Sequence, residues 1–150
     1  MSNLNNLSIF SKKKKIVAFD VGRVFLGVAL SDSARALAFP YTVLKWHSKP
    51  GVLVEFLGKL FKDEMIDSIV IGKPMVFEGF ENKNASSNAA VDVVIKILEN
   101  TYPKIPVMFV DERVSTVEAD NRMADSGIEC GRRDAVAAQI ILERYLASVE

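Results

Sequence analysis

From residue 16 onward, the first part of the chain consists of apolar runs that are too short for helices and are separated by turn residues. Residues 16–21 are almost continuously apolar, which is typical of a central strand buried on both faces. Gly22 and Gly27 are expected to bracket a short turn, and residues 24–30 form the predicted second strand. The two segments together predict a β-hairpin.

The middle of the chain changes to helical spacing. A third strand is predicted across residues 37–44, and Pro40 favours an edge position or a bulge because proline lacks a ladder donor. Residues 52–65 and 85–102 carry apolar side chains at helical intervals, and the mainly apolar residues 68–71 between them predict a fourth strand. The pattern therefore shifts from a hairpin to alternating helices and strands.

The last third of the chain continues this alternation. The segment "IPVMFVDER" predicts a fifth strand, and Ser115 with Glu118 just after it fits a capping box. That helix is expected to end at Gly127. A final helix is predicted from Asp134 to about residue 148. The order β-β-β-α-β-α-β-α-α indicates an α/β domain whose mixed sheet carries helices on its faces.

Composition and charge narrow the class of protein only slightly. The 150 residues fit one domain, which we expect over residues 15–150 after a disordered lead-in at 1–14. Nineteen basic and nineteen acidic residues cancel, so net charge favours no nucleic-acid partner, although a local basic patch can coexist with this balance. Cys130 is the only cysteine and no apolar run is long enough to span a membrane, which together predict a cytoplasmic protein.

Carboxylates lie at the ends of three predicted elements. Asp20 ends the first strand, Asp111 and Glu112 end the fifth, and Asp134 opens the last helix on its apolar face. If the first and fifth strands are parallel neighbours, their carboxyl ends lie together at the edge where open α/β sheets form sites.

Acids that cluster in this way need a counter-charge. Neighbouring carboxylates repel one another, and oxygen-only ligands suit Mg²⁺ or Mn²⁺. Such ions can stabilise the attacking and leaving oxygens of a phosphodiester. Taken separately, each acid has an ordinary structural explanation, such as turn formation for Asp20 or the helix dipole for Asp134.

Four segments, in this order, resemble blocks of the YqgF/RuvX family: "IVAFDVGRVFLGVALSD", "IVIGKPMVFEG", "VDERVSTVEAD" and "RRDAVAAQIILERYL". The resemblance covers about residues 15–147. The family consists of Holliday-junction-resolvase-like nucleases assigned to maturation of pre-16S ribosomal RNA. It implies a ribonuclease H-like α/β fold with a five-stranded mixed sheet flanked by helices.

The resemblance also implies site residues. The family's acids correspond to Asp20, to the pair Asp111 and Glu112, and to Asp134. Asp20, Glu112 and Asp134 are the expected ligands of Mg²⁺ or Mn²⁺. Glu112 is preferred as the middle ligand for its longer side chain, and Asp111 remains an alternative.

Basic residues near these acids are candidates for phosphate contacts. They are Arg23, Lys73, Arg113, Arg132 and Arg133. The "GRVF" segment after Asp20 departs from the family's usual pattern, which has a hydroxyl and two basic residues there. Because basic residues hold the nucleic-acid backbone, this departure affects how the substrate is positioned. It does not affect the acids that would bind the metal.

Three functions follow as hypotheses. The first is a metal-dependent endonuclease that processes the 5′ end of pre-16S ribosomal RNA. The alternatives are a Holliday-junction resolvase and a noncatalytic nucleic-acid-binding regulatory protein of the same fold. All three predict a nucleic-acid partner and no membrane; the sequence does not indicate an oligomeric state.

Overall fold

The computed structural model describes residues 14–73, 85–111 and 133–149. These residues form a five-stranded sheet and three helices. The strands are β1 (Lys15–Val21), β2 (Phe25–Ser31), β3 (Ala38–Lys45), β4 (Ile66–Lys73) and β5 (Val107–Asp111). The helices are α1 (Pro50–Asp63), α2 (Ala85–Thr101) and α3 (Arg133–Ser148). The element order predicted for these segments is confirmed, with boundaries shifted by a few residues at most.

Other predictions fall on parts of the chain that lie outside the described residues. They concern nearly all of the lead-in, the capping box at Ser115 and Glu118, and the helix end at Gly127. Within the described ranges, no helix is both long enough and apolar enough to cross a membrane.

The sheet is mixed, with the strand order β3-β2-β1-β4-β5. β1, β2 and β3 pair in antiparallel fashion, whereas β1, β4 and β5 run parallel. The hypothesis that the first and fifth strands are neighbours was wrong, because α1 returns the chain to the free side of β1 and β4 takes that position. The carboxyl ends of β1, β4 and β5 nevertheless share one edge of the sheet.

Strand β3 lies at an edge of the sheet, as predicted from Pro40. The register shifts between Val28 and Ala29, where Thr42 and Pro40 are their respective partners. Tyr41 is therefore the extra residue of a bulge. A proline at a bulged edge removes no hydrogen bond that the sheet requires.

Side-chain alternation along β1 separates two cores. Val17 and Phe19 belong to a large cluster with α1 and α2, while Ile16 and Ala18 pack with α3 on the other face. Successive residues of a strand point to opposite faces, so Asp20 follows Ile16 and Ala18 onto the α3 face. The carboxylate at the end of β1 therefore lies on the side covered by the last helix.

Trp46, just after β3, is fully buried and fastens the turn that follows Asp20. Its indole N–H donates to the carbonyl oxygen of Gly22 at 2.8 Å, and its backbone N–H donates to that of Val24 at 2.8 Å. The Ser48 hydroxyl donates to the carbonyl oxygen of Arg23 at 2.7 Å. The segment between β3 and α1 thus stabilises the β1–β2 turn by hydrogen bonds to three successive carbonyl groups.

Replacing Trp46 by phenylalanine should lower the free energy of unfolding by about 1–3 kcal/mol, because the Gly22 carbonyl loses its indole donor and packing volume is lost. Urea unfolding followed by far-ultraviolet circular dichroism measures the change. Ser48→Ala, which removes a more exposed hydrogen bond to the same turn, should cost less than about 1 kcal/mol. A Trp46→Phe variant as stable as the wild type would show that the indole bond does not hold the turn.

Candidate active site

Asp20 is flanked by glycine on both neighbouring strands. The register pairs it with Gly27 of β2 and with Gly72 of β4, and the row continues to Val43 on β3 and Val110 on β5. Paired residues project to the same face of a sheet. Neither β2 nor β4 therefore places a side chain beside the Asp20 carboxylate on the α3 face.

The first turn of α3 lies directly on Gly27. A Cβ atom built on this glycine would stand 2.0 Å from the carbonyl oxygen of Asp134 and 3.0 Å from its Cβ. Gly27 is the antiparallel partner of Asp20, and the Cα atoms of such partners are only about 4.5–5.5 Å apart. The contact between Asp134 and Gly27 is therefore on the strand next to Asp20. The structure thus brings Asp20 and Asp134 to the same face and the same edge of the sheet.

The expectation that Gly27 brackets a turn was wrong, since this residue lies inside β2. The physical reason is the close approach of the α3 backbone, which leaves no room for any side chain. A glycine within a strand is a recognised sign of such an approach. A glycine inside an apolar segment was therefore the sequence signal available for this helix contact.

Asp111 and Lys73 project away from Asp20. In β5, Val107 packs in the α1–α2 cluster and Val110 in the α3 cluster, so alternation assigns Asp111 to the α1–α2 face. Lys73 shares that face, with its Nζ atom 5.1 Å from the ring centroid of Phe109. The Asp111 carbonyl oxygen accepts a hydrogen bond from a guanidinium group of α3 at 3.0 Å.

The predicted basic residues divide into two groups. Arg23 is exposed in the β1–β2 turn, and Arg133 is exposed as the first residue of α3, immediately before Asp134. Arg113 and Arg132, like the predicted metal ligand Glu112, lie outside the described residues. Two exposed cations therefore lie near the two aspartates in the chain, Arg23 three residues after Asp20 and Arg133 directly before Asp134.

No metal-binding group is complete within residues 14–73, 85–111 and 133–149. Nowhere in these ranges are three Asp, Glu, His or Cys side chains placed to hold an ion. Asp20 and Asp134 are two of the three predicted ligands, and the third, Glu112, is not among the described residues. The oxygen-only chemistry of this predicted set suits Mg²⁺ or Mn²⁺.

The opposite edge of the sheet carries an open cleft of about 460 Å³ between the end of β2 and the start of β3. Here the backbone N–H groups of Leu37 and Ala36 donate to Asp32 and hold the pKa of its carboxyl below the usual value. Burial, and then the charge of Glu64, raises the pKa of the Tyr41 phenol. The cleft contains none of the predicted site residues and lies away from the aspartates.

The sequence matches one family model, described as "RuvX: Holliday junction resolvase", over residues 14–148. A Roseiflexus protein is 35% identical over 144 residues, covering 92% of this chain and 97% of its own. A Bacteroides thetaiotaomicron protein is 33% identical over 141 residues, covering 89% and 96%. Both carry the name "Putative pre-16S rRNA nuclease".

Two solved structures share the fold. Thermus thermophilus RuvC, solved in complex with a Holliday junction substrate, aligns with a TM-score of 0.57 at 13% identity, covering 91% of this chain and 96% of that one. The fowlpox virus resolvase, solved with Holliday junction DNA, aligns with a TM-score of 0.54 at 11% identity, covering 90% and 98%. The ribonuclease H-like fold and its five-stranded mixed sheet are thereby confirmed.

Replacing Gly27 by alanine should lower the free energy of unfolding by about 1–3 kcal/mol, because the added methyl group would meet the α3 backbone. Gly58→Ala in α1 is the matched control. Its Cβ enters open space, and the substitution should raise the free energy of unfolding by about 0.5–1 kcal/mol. Urea unfolding of both variants tests the contact, and two shifts of the same sign would contradict it.

Proposed function

Because the chain belongs to the RuvX family, we propose that it is a nuclease that hydrolyses phosphodiester bonds in the 5′ segment of pre-16S ribosomal RNA. The relatives that carry this name align over nearly their whole length. The observation that carries the proposal is that Asp134 packs on Gly27, the register partner of Asp20, so that both aspartates lie on the α3 face at the same level of the sheet. Ribosomal RNA as substrate agrees with the cytoplasmic location that the single cysteine predicts.

Divalent metal ions are part of this proposal. Asp20 and Asp134 would hold Mg²⁺ or Mn²⁺ together with a carboxylate from the end of β5. Gly72 supports this arrangement, because it leaves the α3 face of β4 without a side chain at the level of Asp20. Such ions supply stabilisation of the attacking and leaving oxygens in an in-line displacement.

Glu112, the residue that follows β5 in the sequence, is the carboxylate that we propose as the third ligand. Asp111 is assigned to the α1–α2 face by strand alternation, whereas Asp20 faces α3. A ligand on the side of Asp111 would have to reach across the sheet. The choice of Glu112 therefore depends on side-chain direction as well as on the length of glutamate.

Basic residues would position the substrate backbone. Arg23 and Arg133 are exposed beside the two aspartates, and guanidinium groups pair well with phosphate oxygens. Arg113 and Arg132 keep this role as predictions from sequence. Lys73 is the weaker candidate, because its ammonium group stacks on Phe109 at the other face of the sheet.

A Holliday-junction resolvase is the second candidate, favoured by the description of the matching family. The two activities would use the same carboxylates and differ in the nucleic acid that they accept. A noncatalytic binding protein of the same fold would bind either nucleic acid and cut neither. One cleavage experiment separates the three.

Wild-type protein should cut a labelled RNA containing the pre-16S 5′ segment with Mg²⁺ or Mn²⁺ and leave it intact in EDTA. Asp20→Asn and Asp134→Asn should each lower the rate by on the order of 10²-fold or more, because each removes a charge that acts in the transition state. Asp92→Asn, at an exposed position in α2, is the control and should cut normally. A synthetic four-way DNA junction is tested in parallel.

Cutting of the junction alone would transfer the assignment to a resolvase. Binding of both nucleic acids without cutting would favour the noncatalytic protein. An unchanged rate in Asp20→Asn would overturn the proposed site even if the RNA is cut.

The two acids at the end of β5 can be distinguished with isosteric amides. Glu112→Gln should lower the cleavage rate by on the order of 10²-fold or more, whereas Asp111→Asn should stay within about 10-fold of wild type. The rates are compared at saturating Mg²⁺ with the same RNA. The reverse order would make Asp111 the ligand and disprove the argument from alternation.

A further inference from the structure

An exposed aromatic ring and a lysine lie across from each other beside the candidate site. Phe25, the first residue of β2, is 43% exposed, and its register partner is Lys45, the last residue of β3. The Lys45 Nζ atom lies 6.0 Å from the centre of the Phe25 ring. A single exposed aromatic ring is common on protein surfaces and needs no explanation. This ring differs because it lies close to the candidate active site.

The pair shares a face and an edge with the two aspartates. Phe25 lies two residues before Gly27 in β2, so both project to the face covered by α3. At about 3.4 Å per residue, the Cα atom of Phe25 lies about 7 Å along the strand from that of Gly27, the glycine that Asp134 contacts. A strand of nucleic acid bound at Asp20 and Asp134 would pass within reach of it.

The chemistry of this surface suits an unpaired nucleotide. Aromatic side chains stack on bases of any identity, but only when the base is not buried in a helix stack. The Lys45 ammonium, at the outer limit of cation–π distance from the ring, is exposed and available to a phosphate. Arg23 and Arg133 add positive charge at the same edge.

We infer that Phe25 and Lys45 form a contact surface for an unpaired nucleotide next to the cleaved bond, with the ring stacking on the base and the ammonium group binding the adjoining phosphate. This inference rests on the proposed nuclease function and adds a substrate preference to it. The protein would favour single-stranded or frayed segments over continuous duplex at the cleavage position.

The test measures binding in EDTA, where no cleavage is expected, to two probes. One is a short single-stranded RNA with one 2-aminopurine, and the other is the same RNA fully paired. Phe25→Ala should weaken binding of the single strand by about 10-fold and reduce the stacking change in 2-aminopurine fluorescence, with duplex binding unchanged. Phe25→Trp should retain both signals.

Lys45 is tested through salt dependence. Lys45→Gln should lower the slope of log affinity against log salt concentration for the single strand by about 0.7, the contribution of one phosphate contact. The matched controls are Phe39→Ala, a ring 49% exposed at the other end of β3, and Lys59→Gln on the exposed side of α1. Both controls should behave as wild type, and urea unfolding verifies that all variants are folded.

Equal binding of the single strand by Phe25→Ala and Phe39→Ala would overturn the inference, as would an equal loss for single strand and duplex. Its failure is distinguishable from failure of the nuclease assignment. If the wild type cuts RNA and Phe25→Ala leaves binding unchanged, the nuclease assignment stands and the contact surface is disproved. If Phe25→Ala weakens binding of the single strand but the wild type cuts neither nucleic acid, the contact surface stands and the nuclease assignment is disproved.

Discussion

The contact between the Asp134 backbone and Gly27 sets the distance of α3 from the sheet. The α3 cluster contains the small residues Ala18, Ala29 and Ala138 beside larger ones such as Ile16 and Val70. The other face is built differently, with large side chains such as Phe19 and Trp46 beneath α1 and α2. The aspartates therefore lie on the face where a helix backbone approaches the sheet closely at Gly27.

Both aspartates are carried by regular structure rather than by loops. Asp20 belongs to the central strand, which is hydrogen-bonded on both sides, and Asp134 to the first turn of a long helix that contacts all five strands. Each carboxylate therefore has a position fixed by many backbone bonds and apolar contacts. Functional groups on such elements are held more accurately than groups on loops.

Sequence patterns predicted the elements well and their arrangement less well. The apolar runs located β1 and β4 because strands buried on both faces contain few polar residues. They did not reveal that β4 separates β1 from β5, since any such run can pair with any other. Gly27 was misinterpreted for a related reason, because its neighbour in space, Asp134, is more than a hundred residues away in the chain. The face of the sheet to which Asp111 projects likewise required the observed packing of Val110, which fixes the phase of alternation in β5.

The hydrogen bonds that stabilise the β1–β2 turn affect which amino-acid substitutions this turn can accept. Trp46 and Ser48 bind only carbonyl oxygens of Gly22, Arg23 and Val24, and every residue type has a carbonyl. The side chains at positions 23 and 24 therefore take no part in the bonds that shape the turn. Evolution can exchange them, altering what the turn presents to a substrate, while the backbone that follows the aspartate of the central strand keeps its course.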